Sequence, residues 1–232
     1  KKPGIDSDPH NRRERLNRLE GKTAIVTGGT GGIGLGIAEA FVREGARVCI
    51  ADMSQERCNE AARPLSPQAF GQAVDVRDRN SAELLAERAM AETGRIDILV
   101  NCAGVVGMTP ILEVTEEEFE RIFAVNVRGS LYTLQAAARR MIDGGQGGSI
   151  INFSSAAGRR ASPNSSVYSA SKASVISFTQ AAAQELVPYG IRVNAIAPGP
   201  VRTPMWEDVK AGYTNIHGNQ AMNMEDLALS II

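Results

Sequence analysis

With 232 residues, 43% hydrophobic and 22% charged, the chain is long enough to bury one sizeable core. Its formal net charge of -1 supplies no overall basic field, which argues against nucleic acid or an anionic membrane as a partner. Three scattered cysteines and two histidines, His10 and His217, leave little material for a metal centre or a Ser-His-Asp site, so no metal is expected.

Cys49 and Cys102 fall in apolar runs and read as small buried hydrophobes. No apolar run approaches the ~20 residues that span a bilayer, and no signal peptide opens the sequence. A cytoplasmic, reducing environment is the expectation.

Residues 1–20 read as a flexible N-terminal extension, with Pro3, Gly4 and Pro9 interrupting any early pattern. Arg12, Arg13, Arg15 and Arg18 make it locally basic, as a solvated tail would be. Residues 21–232 read as a single domain, since no Pro/Gly/Ser-rich linker divides them. Thr23 to Thr27 is a short buried strand that runs into Gly28-Gly29-Thr30-Gly31-Gly32-Ile33-Gly34, and a helix is expected over Leu35 to Glu44. Strand, glycine turn and helix in that order form a dinucleotide-binding unit. The glycines let the backbone approach a pyrophosphate, and the helix N-terminus offers free N–H groups and a positive dipole end.

Arg47 to Asp52 is the next strand. Asp52 lies eighteen residues after Gly34, where a carboxylate accepts from the adenosine ribose hydroxyls and repels a 2′-phosphate. No Arg or Lys in the glycine turn offsets that repulsion, so NAD is expected over NADP. The competing reading makes Asp52 the cap of a helix starting near Ser54. A third strand is expected over Ala69 to Val76, ending in Asp75-Val76, then a helix from Asn80 to Thr93 capped by Asn80 or Ser81.

Ile96 to Val100 is an apolar strand followed by Asn101-Cys102-Ala103-Gly104. A long amphipathic helix over Thr115 to Met141 holds Asn126, and Thr115-Glu116-Glu117-Glu118 has the form of a capping box. Gly148 to Phe153 is the fifth strand and delivers Ser154 and Ser155 to its end. Thirteen residues after Ser155 comes Tyr168, and Lys172 lies four further on, on the same helix face. An ordinary Tyr titrates near ~10, and a neighbouring cation favours the phenolate; a shift of about three units represents roughly 4 kcal/mol. That pair, with Ser155 polarising the same substrate oxygen, would make a proton-transfer site for an alcohol or carbonyl; the competing reading is a half-buried Tyr beside a solvated Lys. The helix is expected to reach about Pro188, and Arg192 to Ala197 is the sixth strand, closed by Pro198-Gly199-Pro200.

Strands alternating with helices, each strand mostly apolar, imply an α/β fold: a Rossmann-type doubly wound parallel sheet with helices on both faces. Ligands of such sheets bind at the carboxyl ends of the strands. The glycine turn, Asp52, Asp75, Asn101, Ser155 and Pro198-Gly199 all fall there.

From Leu19 to Thr203 the chain resembles the short-chain dehydrogenase/reductase family. Thr27 to Gly34 matches its cofactor turn, and Asn101-Cys102-Ala103-Gly104 its sheet-stabilising motif, although the second position is usually Asn. Asn126, Ser155, Tyr168 and Lys172 match its catalytic tetrad, and Pro198-Gly199 with Thr203 its nicotinamide-carboxamide segment.

The resemblance implies roles. Tyr168 is the general base in oxidation and the acid in reduction. Lys172 lowers its pKa and binds the nicotinamide ribose, Ser155 orients the substrate oxygen, and Asn126 holds a water linking Lys172 to solvent. Ser155 is preferred to Ser154 because thirteen residues separate the family serine from its tyrosine. The implied cofactor contacts are Gly28, Thr30, Gly31, Gly32, Ile33, Gly34, Asp52, Asp75, Val76, Asn101, Ala103, Gly104, Tyr168, Lys172, Pro198, Gly199, Val201 and Thr203.

The wording of Ala156-Ala157-Gly158-Arg159-Arg160 and Val167 to Ala173 is similar to bacterial polyol dehydrogenases, and Trp206-Glu207-Asp208-Val209 to the substrate loop of sorbitol- and galactitol-oxidising members. The resemblance therefore implies NAD-dependent interconversion of a secondary alcohol, such as a sugar alcohol, and a ketone, in a homotetramer or dimer. A general ketoreductase, or a nucleotide-binding regulator without turnover, are the alternatives. The segment from Thr203 to Met224 reads as a loop that contributes to the pocket. Met205 and Trp206 read there as a lid or as a loop anchor, and Arg159 and Arg160 as surface arginines. The family continues past a helix near Met224 with a seventh strand, whereas this sequence stops at Ile232, so the final strand is expected to be missing.

Overall fold

The computed structural model describes residues 17–217. Six parallel strands form one sheet in the order β3-β2-β1-β4-β5-β6: β1 (Thr23–Thr27), β2 (Arg47–Asp52), β3 (Ala69–Ala73), β4 (Ile98–Asn101), β5 (Gly148–Phe153) and β6 (Ile191–Ile196). The helices are α1 (Gly32–Arg43), α2 (Gln55–Ala62), α3 (Arg79–Thr93), α4 (Glu116–Phe123), α5 (Ser130–Gly144), α6 (Ser166–Glu185) and α7 (Met205–His217). The chain reverses its direction of travel across the sheet between β1 and β4, so a crevice opens above their carboxyl ends.

Alternation of strand side chains builds two apolar layers. Ile25, Leu99 and Ile150 face α3 and α5 with Leu85, Leu134 and Met141, while Val26, Ile50 and Val100 face the side of α1 with Ala38. Both faces of the central strands are therefore covered, the expected doubly wound arrangement. Below the sheet, buried Asp97 joins the starts of β1 and β4. It accepts from the Thr23 N–H at 2.9 Å and pairs with Lys22 at 3.2 Å and with Arg95.

Most element limits fall within two residues of expectation, and the exceptions have local causes. The third strand stops at Ala73, because β2 ends at Asp52, its register partner, and no strand remains to pair with Asp75 or Val76. Helix α3 is capped by Asp78, whose carboxylate accepts from the amides of Asn80 and Ser81; the Ser81 hydroxyl instead accepts from the Asp75 N–H. Helix α1 begins at Gly32, inside the glycine turn.

The long helix expected over Thr115 to Met141 is two helices joined by a π-helical turn, Ala124–Gly129. Ser130 and Thr133 donate back to the carbonyls of Asn126 and Gly129, each at 2.8 Å, while the Asn126 side chain is drawn toward Val105. Such competing bonds open an α-helical ladder. Thr115 caps α4 by accepting from the Glu118 N–H at 3.2 Å. The segment after Thr203, expected as a loop, folds into α7.

The folded body starts earlier than residue 21. Arg18 pairs with Glu44 at 2.9 Å, and the Leu19 N–H donates to the Glu44 carbonyl at 2.9 Å. The rest of the expected N-terminal extension, the helix near Met224 and the final strand lie outside the described residues. Among the described residues no helix is long and apolar enough to cross a membrane.

Candidate active site

The carboxyl ends of the strands open into one cavity of about 950 Å³. The turn after β1 lines one end of it, and its geometry requires glycine at two points. Gly28 has φ +64, and a Cβ there would lie 2.8 Å from the Ala103 amide nitrogen. A Cβ on Gly34 would lie 2.2 Å from the Gly28 carbonyl oxygen, so α1 can seat on its own turn only without one. Gly31 is the N-cap of α1, brings no side chain to the first amides, and no acid occupies the first turn. Uncapped amides at the positive end of a helix suit an anion. The donor set therefore fits the pyrophosphate of a dinucleotide.

Asp52 stands at the end of β2 on the same wall. Thr30 Oγ1 donates to its carboxylate at 2.6 Å and the Met53 N–H at 2.8 Å, which hold it at the rim. It does not cap α2; Ser54 does, accepting from the Arg57 N–H at 3.3 Å. Asp75 and Val76 line the cavity beyond it. Arg77 grips the Asp75 carboxylate through Nε at 2.9 Å and Nη2 at 2.7 Å and holds it below the usual carboxylate range. Arg57 and Arg77 both reach this rim from outside the glycine turn, brought there by the packing of α2 and of the segment after β3.

At the other end, β5 and α6 bring Ser155, Tyr168 and Lys172 to one wall. Ser154 and Ser155 part company here. Ser154 is buried and donates to the Lys172 carbonyl at 2.7 Å, which ties β5 to α6, whereas Ser155 faces the cavity beside the Tyr168 hydroxyl. Lys172 Nζ donates to the Phe153 carbonyl at 2.8 Å. Burial lowers the Lys172 pKa to about 8.

The phenol of Tyr168 departs from expectation. Burial pushes its pKa up, and the Ser155 hydroxyl pulls it down less strongly. Lys172 Nζ stands 5.9 Å from the Tyr168 ring centre and donates to the Phe153 carbonyl.

Two expected site residues do not reach the cavity. Asn101 is buried between sheet and helices: its amide donates to Asn152 Oδ1 at 2.9 Å and to the Ser130 carbonyl at 3.1 Å, and its carbonyl accepts from Thr133 Oγ1 at 2.6 Å. Asn152 in turn donates to Thr179 of α6 at 2.9 Å. Asn101 is thus part of the frame that docks α5 and α6 on the sheet and makes no wall for a cofactor.

Asn126 is fully buried. Its Oδ1 accepts from the Val105 N–H and its Nδ2 donates to the Val105 carbonyl, both at 2.9 Å, and Nδ2 also donates to Ser171 at 3.0 Å. Its carboxamide is bonded to protein partners and joins the loop after β4 to α6.

The remaining expected contacts, Gly28, Thr30, Gly31, Gly32, Ile33, Gly34, Ala103, Gly104, Pro198, Gly199, Val201 and Thr203, all line the cavity. The segment after β6 is drawn in by the Ala156 N–H, which donates to the Pro198 carbonyl at 2.9 Å, and it packs Thr203 against Gly32. Helix α7 closes one side with Met205, Trp206 and Val209. The Trp206 indole N–H is anchored on the Val201 carbonyl, and Gly212 packs on Met108. Arg159 and Arg160 are exposed and do not line the cavity. Met108 and Asn164 also line it, from loops whose path no local sequence pattern announces.

A family model described as short chain dehydrogenase matches residues 22–214. The chain is similar to a sorbitol dehydrogenase of Cereibacter sphaeroides, 48% identical over 85% of this chain and 77% of that protein. It is 44% identical to a galactitol 2-dehydrogenase of Agrobacterium fabrum (strain C58 / ATCC 33970), over 87% of this chain and 78% of that one. Its fold is similar to that of an NAD+-bound xylitol dehydrogenase, with a TM-score of 0.83 and 31% identity, covering 92% of this chain and 84% of the other.

Proposed function

The chain belongs to the short-chain dehydrogenase family and is an oxidoreductase acting on CH–OH groups, and on that premise we propose that it interconverts a polyol and the corresponding ketone with NAD. The observation that carries the reading is the meeting of Ser155, Tyr168 and Lys172 on one wall of a cavity whose far end holds the glycine turn and Asp52. A polyol substrate is supported by the names of its relatives, NAD by the carboxylate fixed at the ribose end of the cavity.

A bound nicotinamide supplies the hydride acceptor or donor. The protein supplies position and proton transfer. Ser155 orients the reacting oxygen. Tyr168 takes its proton during oxidation and returns it during reduction. Lys172, buried with its charge held on the Phe153 carbonyl, faces the ribose side and favours the phenolate once the site is filled. Asn126 acts by holding the loop after β4 in place. Gly28 and the amides of α1 would receive the pyrophosphate of the dinucleotide, Asp52 would accept from its ribose hydroxyls, and Asp75 with Val76 would flank its adenine. The proposal extends to one cytoplasmic domain that assembles as a homotetramer or dimer.

The test is formation of reduced nicotinamide by purified protein against sorbitol, galactitol, xylitol and simple secondary alcohols, with NAD and NADP offered separately. NAD-dependent turnover of a polyol is the expected result. Turnover with NADP alone would overturn the role given to Asp52, and NAD binding without turnover on any alcohol would overturn the catalytic reading.

A further inference from the structure

The substrate end of the cavity has few uncommitted polar groups. Ser162 and Ser165 share a hydrogen bond of 3.1 Å, and Ser165 is bonded again to Ser169 at 3.1 Å. Arg121 donates to the Val106 carbonyl at 3.0 Å, and the Trp206 indole to that of Val201. Asn164 differs from these: among the described residues its carboxamide makes no hydrogen bond, although it is half-buried on the cavity wall.

Its backbone is also unusual. Asn164 has φ +62, in the left-handed region that costs a residue with a side chain energy. It is held there by its carbonyl, which accepts from the Thr109 N–H at 2.7 Å and so joins the loop before α6 to the loop after β4. It stands immediately before Ser165, the N-cap of α6, and four residues before Tyr168. Two walls of the cavity are pinned together at a strained residue whose carboxamide has no partner among the described residues.

We propose that Asn164 is a specificity-determining residue, and that its carboxamide pairs with the hydroxyl on the carbon next to the one oxidised, so that the site selects vicinal diols over isolated secondary alcohols. This rests on the polyol reading above. A carboxamide offers an acceptor and two donors, and a hydroxyl is both donor and acceptor, so the two groups match in either sense. Ser155 and Tyr168 are engaged by the reacting oxygen and leave the neighbouring hydroxyl to another group. A site built to bond a hydroxyl discriminates strongly against the analogue lacking it, because its polar group is then left unpaired.

The experiment compares 2,3-butanediol with 2-butanol, which differ by one hydroxyl, using wild type and Asn164→Gly. Glycine tolerates the left-handed backbone, so the loop path is preserved while the carboxamide is removed. The expected result is that the ratio of kcat/KM for diol over mono-alcohol falls about tenfold in the variant, the worth of one well-made hydrogen bond, with the Kd for NAD unchanged and the melting temperature equal or higher, since glycine relieves the left-handed strain. Where 2-butanol turnover is undetectable, the same loss is expected in kcat/KM for the diol alone. An unchanged ratio, or equal losses on both alcohols, would overturn the assignment. A wild type that oxidises neither alcohol nor any polyol would overturn the functional reading, and this inference with it.

Discussion

Lys172 Nζ lies 2.8 Å from the carbonyl oxygen of Phe153, two residues before Ser155. The buried ammonium of α6 is thereby tied to the end of the strand that leads to Ser155. Burial lowers its pKa from 10.5 to about 8.

This has a consequence for stability. Between about pH 8 and 10.5 the unfolded state binds more protons at Lys172 than the folded state, so stability rises with pH across that window; below it both states are charged and the cost is constant. In the cofactor-free protein, stability relative to Lys172→Met is expected to gain up to about 3 kcal/mol over the window. Urea unfolding of both proteins at the two ends of it measures the gain. A flat difference would mean that the folded state keeps the proton on Lys172 as firmly as the unfolded chain does, so that burial does not lower its pKa.

Tyr168→Phe is expected to lower turnover by about 10²–10⁴-fold, the usual contribution of a positioned acid–base group, and to leave the Kd for NAD nearly unchanged. The raised phenol pKa gives a direction as well. Oxidation needs the phenolate and is expected to speed up as pH rises into the alkaline range, whereas reduction needs the phenol and slows there. Initial rates in both directions across pH decide it, and a variant that retained turnover would mean the protein uses another base.

Two glycines on one helix are expected to behave oppositely. Gly34→Ala would place a Cβ 2.2 Å from the Gly28 carbonyl oxygen, a backbone atom with nowhere to move, so the glycine turn must distort. A loss of roughly 1–3 kcal/mol of stability is expected, with NAD affinity falling alongside. Gly36→Ala meets nothing within 4 Å in α1 and is expected to stabilise by about 0.5–1 kcal/mol. Thermal melts with and without NAD separate the pair.

Asp97 joins the starts of β1 and β4. Burial raises its pKa, but Arg95, the Thr23 amide and Lys22 together outweigh it and bring it below the usual value of 3.8. Asp97→Asn leaves Arg95 without its buried partner and is expected to cost roughly 3 kcal/mol near neutral pH. The carboxylate's contribution is present above 3.8 and lost as pH falls below it, so the penalty should shrink in acid. Denaturant titrations at neutral and acid pH test both the size and the trend.

The sequence by itself determined the features that rest on chain neighbours. Thr23 to Gly34 reads as strand, turn and helix because its apolar run, its glycines and its helical residues are contiguous. Tyr168 and Lys172 share a face because helical geometry places residues four apart together, and Asp52 ends its strand where the apolar run stops. These pieces, taken in order, were enough to predict the parallel sheet and most of the cavity wall.

Only the tertiary structure decided what depends on partners distant along the chain. Asn101 meets Asn152 and Thr133, and Asn126 meets Val105 and Ser171, bonds between residues more than twenty apart that draw both side chains into the packing between sheet and helices. The same contacts separate Ser154 from Ser155, identical in type and adjacent in sequence. Helix α7 and the strained Asn164 come from segments with no simple period. The direction of the Tyr168 and Lys172 shifts followed from burial, which a linear pattern does not specify: desolvation is set by every element packed around a group, while spacing shows only which groups are near on one helix.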